Sequence, residues 1–169
     1  NDAMAKLLLD CQIDFDVVHS EEDLLRFDTV ILPDNYRLSE SMGKAFDAFV
    51  KQGGKLLLLG GSGLKEGADE FAFSAPFTYK GRSPYDKDYF ELARENAEHF
   101  PVGTEIPEDI VSSPILCYSS AHRVEGEGTV HSYVREPYFS RTYEKYCSHC
   151  NTPYREERAA YPGAIQCGN

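Results

Sequence analysis

An α/β fold with a mostly parallel sheet is what this sequence predicts, and three observations carry the prediction. A strand, a helix of fourteen residues and a second strand follow one another between Thr29 and Leu59 with almost no residues to spare. The helix carries a single apolar stripe. The second strand is leucine on both faces, which calls for cover on both sides of the sheet. Strand, helix, strand is the connection that parallel neighbours need.

Each element has its own justification. IDFDVV, Ile13 to Val18, alternates and then closes apolar, as a strand near a sheet edge would. SEEDLLRF follows, short and polar, a turn or a single helical turn. TVILPDN, Thr29 to Asn35, reads as a buried strand halted by Pro33, whose missing donor ends the ladder. Ser39 to Gln52 is the best helix: Ser39 caps it and Glu40 sits in the first turn, where the helix dipole favours a negative charge. Met42, Ala45, Phe46, Phe49 and Val50 make one stripe. Gly53 and Gly54 supply the left-handed stop, and KLLLL begins at once.

From Lys65 to Pro114 the patterning thins, and FAFSAPFTYKGRSPYDKDYF shows no clean period. Loops of such length are usually functional or belong to an interface. Leu116 to Tyr118, Arg123 to Glu125 and Thr129 to Val134 read as short strands. Charged runs such as SEED and REER read as solvated faces.

The chain has 169 residues and a formal net charge of -11. One domain over residues 1–169 is the natural expectation. The negative balance argues against nucleic acid and against an anionic membrane as partners. No run approaches a spanning helix. The absence of Trp counts against a stand-alone lectin. Five scattered cysteines, an odd number with one close pair, make a poor disulfide framework and lean towards a cytoplasmic home.

Two motifs carry possible chemistry. Gly60, Gly61, Ser62 and Gly63 follow the leucine strand. A dinucleotide fingerprint fails at Glu66, a phosphate loop lacks its Gly-Lys-Ser/Thr ending, and a nucleophile elbow at Ser62 meets Leu64 where glycine is required. The loop therefore reads first as a structural turn, with a ligand-contacting role for Ser62 as the alternative. CSHC places Cys147, His149 and Cys150 within four residues, half of a zinc site. Cys117, Cys167, His122 and His131 offer no second matching pair. The leading reading is that both cysteines pack in an aromatic corner with His149 bonding a carbonyl. No catalytic pair stands out among the 28 acidic residues. No catalytic residue, metal or cofactor is expected.

FDTVILPDNYRLSESMGKAFDAFVKQGGKLLLLGGSGL, Phe27 to Leu64, resembles the β-galactosidase trimerisation domain. That is the middle domain of family 42-like glycoside hydrolases and a relative of the class I glutamine amidotransferase fold. The shared features are a strand ending in LP, an LS helix cap, an F-V-x-x-G-G helix end and an apolar strand running into SG. EPYFSRTYEKYCSHCNTP and YPGAIQCGN are similar to the C-terminal part of the same domain in glycoside hydrolases. The resemblance implies a three-layer, flavodoxin-like α/β sandwich without the amidotransferase nucleophile. It would lack the first strand, because the family domain opens with a strand and most of a helix before the position of Met4. It further implies a (β/α)8 catalytic domain in the parent chain, a homo-oligomer with a trimer favoured, and a carbohydrate substrate for the parent. Tyr138, Phe139, Arg141 and Tyr143, with His149 and Ser62, are the residues expected to face an interface or ligand. Two other readings stay open: an independent amidotransferase-like enzyme with a displaced nucleophile, and a small sugar- or metal-binding module.

Overall fold

A computed structural model gives the fold and describes residues 2–19, 21–99 and 113–168. Residues 100–112 of the weakly patterned stretch, and Ser20 at the head of SEEDLLRF, lie outside the described residues. The chain divides into two compact units, Asn1–Ser74 and Ala75–Asn169.

The first unit runs helix α1 (Asp2–Asp10), a 3₁₀ turn (Glu21–Arg26), strand β1 (Thr29–Leu32), helix α2 (Glu40–Lys51) and strand β2 (Lys55–Leu58). Helix α2 forms as its stripe and cap dictate. Ser39 Oγ accepts from the Met42 N–H at 3.2 Å, satisfying one of the orphan donors of the first turn. Phe46 and Phe49 bury with Leu24, Leu32 and Leu38 to make the core, and Met42 and Ala45 pack against them. Val50, the last residue of the stripe, stays exposed. Gly43 is fixed by close approach: a Cβ there would lie 2.0 Å from the Ala72 carbonyl oxygen, so the returning chain presses directly on the helix.

β1 and β2 pair in parallel, from Thr29 opposite Lys55 to Leu32 opposite Leu58, and β1 stops before Pro33 as expected. Two expectations fail in this unit. Leu57 is 45% exposed, so β2 is not covered on both faces. Ile13 to Val18 forms no strand. Gln12, at φ 57°, ends α1 in the left-handed region. The segment after it runs outside any ladder, with Ile13, Phe15 and Val17 exposed and Val18 packed onto the core. Alternation makes a strand only where a neighbour accepts its hydrogen bonds.

The second unit is antiparallel throughout its named strands. Strands β3 (Phe77–Arg82), β4 (Asp88–Leu92), β5 (Ile115–Cys117), β6 (His122–Gly126), β7 (Thr129–Arg135) and β8 (Pro162–Gln166) fall into two sheets. One pairs β3 with β6; the other has the order β5-β4-β7-β8. This overturns the three-layer, mostly parallel α/β sandwich, and the amidotransferase-like and flavodoxin-like detail with it. Among the described residues one strand pair is parallel, and the chain is richer in strand than in helix. A parallel sheet must repeat its helical crossovers, and after Ser74 no α-helix occurs among the described residues.

The core of this unit is small and polar. Tyr89, Ala93, Ala121 and Val134 are buried beside Ser83, Asp88, Ser132 and Thr152. Asp88 is 0% exposed. Its carboxylate accepts from the Ala121 N–H at 2.7 Å and the Ser83 hydroxyl at 3.1 Å. Burial pushes its carboxyl above the ordinary range, and those two bonds pull the other way without winning. No helix among the described residues is long and apolar enough to cross a membrane.

Candidate functional site

The glycine loop lies at the C-terminal end of β2 and closes on itself. Ser62 is buried; its Oγ accepts from the Leu59 N–H at 3.0 Å, and its own N–H donates to the Leu59 carbonyl at 3.1 Å. Gly60, at φ 57°, comes so close to Asp34 that a Cβ would lie 1.9 Å from Oδ1. Asp34 Oδ1 also accepts from the Gly61 N–H at 3.0 Å. The Gly61, Ser62 and Gly63 amides that a phosphate would need are thus already bonded within the protein.

The aromatic and thiol segment behaves differently, because its side chains face outward. Pro137 and Tyr154 bridge its two ends, and the Tyr138 N–H donates to the Pro153 carbonyl at 3.1 Å. Beneath it, the buried Tyr89 hydroxyl donates to the Thr152 carbonyl at 2.6 Å, and its ring meets Tyr154 edge-on at 5.2 Å. Between these anchors the loop is exposed: Tyr138 is 56% and Tyr143 98% accessible. Arg141 donates to the Ser148 carbonyl at 2.9 Å, bracing the loop across its width. Arg141, Thr142, Tyr143 and Tyr146 line one open hollow of about 760 Å³. Phe139 and Arg141 lie on another side with Lys87, Asn151 and Thr152. Of the expected residues, then, Arg141 and Tyr143 share one hollow, and Phe139 joins Arg141 in the other.

Ser148 has φ 48° and turns the chain between the two thiols, and the Cys150 N–H donates to the Cys147 carbonyl at 3.1 Å. Cys147 Sγ approaches the carbonyls of Cys150 at 3.5 Å and Asn151 at 3.4 Å. Cys150 and His149 are exposed. The carbonyl contacts expected of His149 are therefore made by Cys147. The described residues contain no group of three or more His, Cys, Asp and Glu side chains placed to hold a metal. Tyr118, not singled out in the sequence, joins this surface. It is exposed, with Lys87 Nζ 4.9 Å from its ring centroid and the Asn151 amide 3.4 Å from its hydroxyl.

A third feature was hidden in the charged runs. A cleft of about 620 Å³ is lined by Lys80 of β3, Arg123 and Glu125 of β6, Glu136, Tyr161, and Arg155, Glu157 and Arg158 of the run read from sequence as a solvated face. On one side Arg158 is committed to two carboxylates, bonding Glu91 at 2.7 Å and Glu95 at 2.8 Å. It also stacks 3.8 Å over Tyr133. Glu91 is bonded by Arg135 as well. Burial raises the Glu91 carboxyl, but its two arginines outweigh that and hold it below the ordinary range. The carboxyl of Glu95 is held at about 2 by its own backbone N–H, Arg158 and Tyr133. On the other side the Tyr161 hydroxyl donates to Glu136 at 3.0 Å; burial first, and this bond, raise its phenol above the ordinary value against a lowering bond from Ser83.

Residues 6–76 match the profile of the family described as Beta-galactosidase trimerisation domain, a span that takes in most of the first unit. A search of curated proteins returned no match. Among solved structures the chain is similar to the alpha-L-fucosidase isoenzyme 2 from Paenibacillus thiaminolyticus, at 28% identity and a TM-score of 0.79. The match covers 95% of this chain and 23% of that one, so the chain spans about a quarter of the length of the fucosidase it matches.

Proposed function

We propose that residues 1–169 form a single non-catalytic accessory and oligomerisation domain of a glycoside hydrolase. One observation carries the reading: a fold similarity that takes in 95% of this chain and both its units, yet only 23% of a glycosidase. The catalytic work would then fall to another part of the parent chain, a (β/α)8 domain acting on a carbohydrate. The profile match to a trimerisation domain supports subunit contact, with a trimer as the favoured state.

Two surfaces support association physically. The first unit leaves Leu7, Leu9, Ile13, Phe15, Val17 and Leu57 exposed, apolar side chains that a neighbouring subunit would cover. The second offers Tyr138, Tyr143, Tyr146 and Arg141, residue types that carry interface energy and wall carbohydrate sites. With Ser62 buried in its own turn, an amidotransferase-like enzyme would need a nucleophile displaced to a place other than the glycine loop.

Reading the gene on both sides of Asn1 and Asn169 tests this directly. A preceding stretch of alternating strands and helices is expected. In the full-length protein, Cys147→Ser should leave glycoside hydrolysis unchanged, whereas Tyr143→Ala should lower either the oligomer mass or the turnover. Loss of hydrolysis in a folded Cys147→Ser protein would overturn the non-catalytic reading.

A further inference from the structure

The cleft in the second unit lies outside the residues that match the trimerisation profile, and nothing in the proposed accessory role requires it. We infer that it binds a small polyhydroxylated carboxylate, of the class of the sugar acids. At about 620 Å³ the cleft falls within the roughly 300–1,000 Å³ of small-molecule sites.

The argument turns on which cations are already neutralised. Arg158 is bonded to Glu91 and Glu95, and Lys80 pairs with Glu125 at 3.1 Å. Arg123 and Arg155 differ. Among the described residues neither has a carboxylate within ion-pair distance, in a chain with 28 acidic and 17 basic residues. Each is held by one neutral bond and one aromatic ring. Arg123 Nη2 donates to the Lys80 carbonyl at 2.9 Å and its guanidinium stands 5.9 Å from the Tyr161 ring centroid. Arg155 Nη2 donates to the Tyr85 hydroxyl at 3.0 Å, again 5.9 Å from that ring. The Nε of both is buried with no protein acceptor.

Two guanidiniums fixed in place, uncompensated and lining one cleft, form a site for an anion. A planar fork suits a carboxylate. The remaining lining narrows the class. Glu125, Glu136 and Glu157 repel a multiply charged anion such as phosphate, while Glu125 and Glu136 accept hydrogen bonds from hydroxyl groups. One carboxylate with several hydroxyls satisfies both halves of the cleft.

Titration calorimetry of the full chain with sodium D-glucuronate, D-glucose and inorganic phosphate tests the inference. Saturable binding of glucuronate is expected, with glucose and phosphate each weaker by roughly tenfold or more, the scale of one charge-assisted bond. Arg123→Gln and Arg155→Gln should each weaken glucuronate roughly tenfold, with folding checked by circular dichroism. Glu157→Gln removes an exposed like charge with no bond to lose, and should tighten glucuronate about twofold. No glucuronate binding, equal binding of glucose or phosphate, or a Glu157→Gln variant that binds no tighter would overturn it.

Discussion

The two units of this chain solve the same problem with different materials. Residues 1–74 bury Leu24, Leu32, Leu38, Phe46 and Phe49, a core of large apolar side chains assembled by one helix over a parallel strand pair. Residues 75–169 bury Tyr89, Ala93, Ala121 and Val134 together with a carboxylate, two serines and a threonine. Burying apolar area stabilises without direction, so the first unit depends on volume and shape. Burying Asp88 is favourable only while each of its bonds is made, so the second depends on a connected polar network. The lesson is that one chain can rest on volume and shape in one half and on a connected polar network in the other.

The largest expected effect that would break this comparison is Phe46→Ala. It should cost about 3–5 kcal/mol in urea denaturation, the cost of a large cavity in an aromatic core. A loss under ~1 kcal/mol would mean that the first unit is not held by that cluster. Next comes Gly43→Ala, whose Cβ would meet the Ala72 carbonyl oxygen at 2.0 Å and should cost about 1–3 kcal/mol by overpacking, despite alanine's better helix propensity. A stabilised Gly43→Ala protein would show that the helix and the returning chain part easily.

The second unit is sharpened by pH. The folded Asp88 carboxyl lies above its ordinary value of 3.8, so the stability it contributes is greatest below that value and falls as pH rises through the folded pKa. Asp88→Asn, which keeps the acceptor for Ala121 and turns its amide to Ser83, should gain on the wild type over that rise and then stay level. Parallel curves would contradict the burial argument. Glu91 and Glu95 run the opposite way. Both lie below their ordinary value of 4.5, so their contribution is present above it and is lost as pH falls, for Glu95 down towards about 2. Arg158→Gln should remove part of that acid-side loss, read in the same pH series, while Arg135 on Glu91 and the backbone N–H on Glu95 keep the rest. The smallest effect is Ser39→Ala, about 1 kcal/mol for a lost helix cap.

Legibility followed the same division. Helix α2 was readable because a capping serine, an apolar stripe and a glycine stop all agreed, and β1 ended at Pro33 for the reason the residue supplies. The fold class failed because one helical crossover was extended to the whole sheet. β3 and β4 were missed because Lys80 and Gly81 interrupt one strand and a buried charge, Asp88, opens the other. Ile13 to Val18 showed the opposite error, a clean alternation with no ladder to join. At the candidate site, Tyr138, Arg141 and Tyr143 were singled out because aromatics and arginine crowd one short segment, and all three are exposed. The cleft was not, since its residues are scattered from Lys80 to Tyr161 and Arg155–Arg158 carries the composition of a solvated face. Only pairing in space reveals which of those charges are already spent.

The most direct test of the central claim, an accessory domain built to associate, is the mass of the chain in solution. Sedimentation equilibrium across a wide concentration range should give a multiple of the 19.0 kDa chain, with three copies favoured and Tyr143→Ala or Ile13→Ser shifting the balance towards the single chain. A mass of 19.0 kDa at every concentration, unchanged by either substitution, would contradict it.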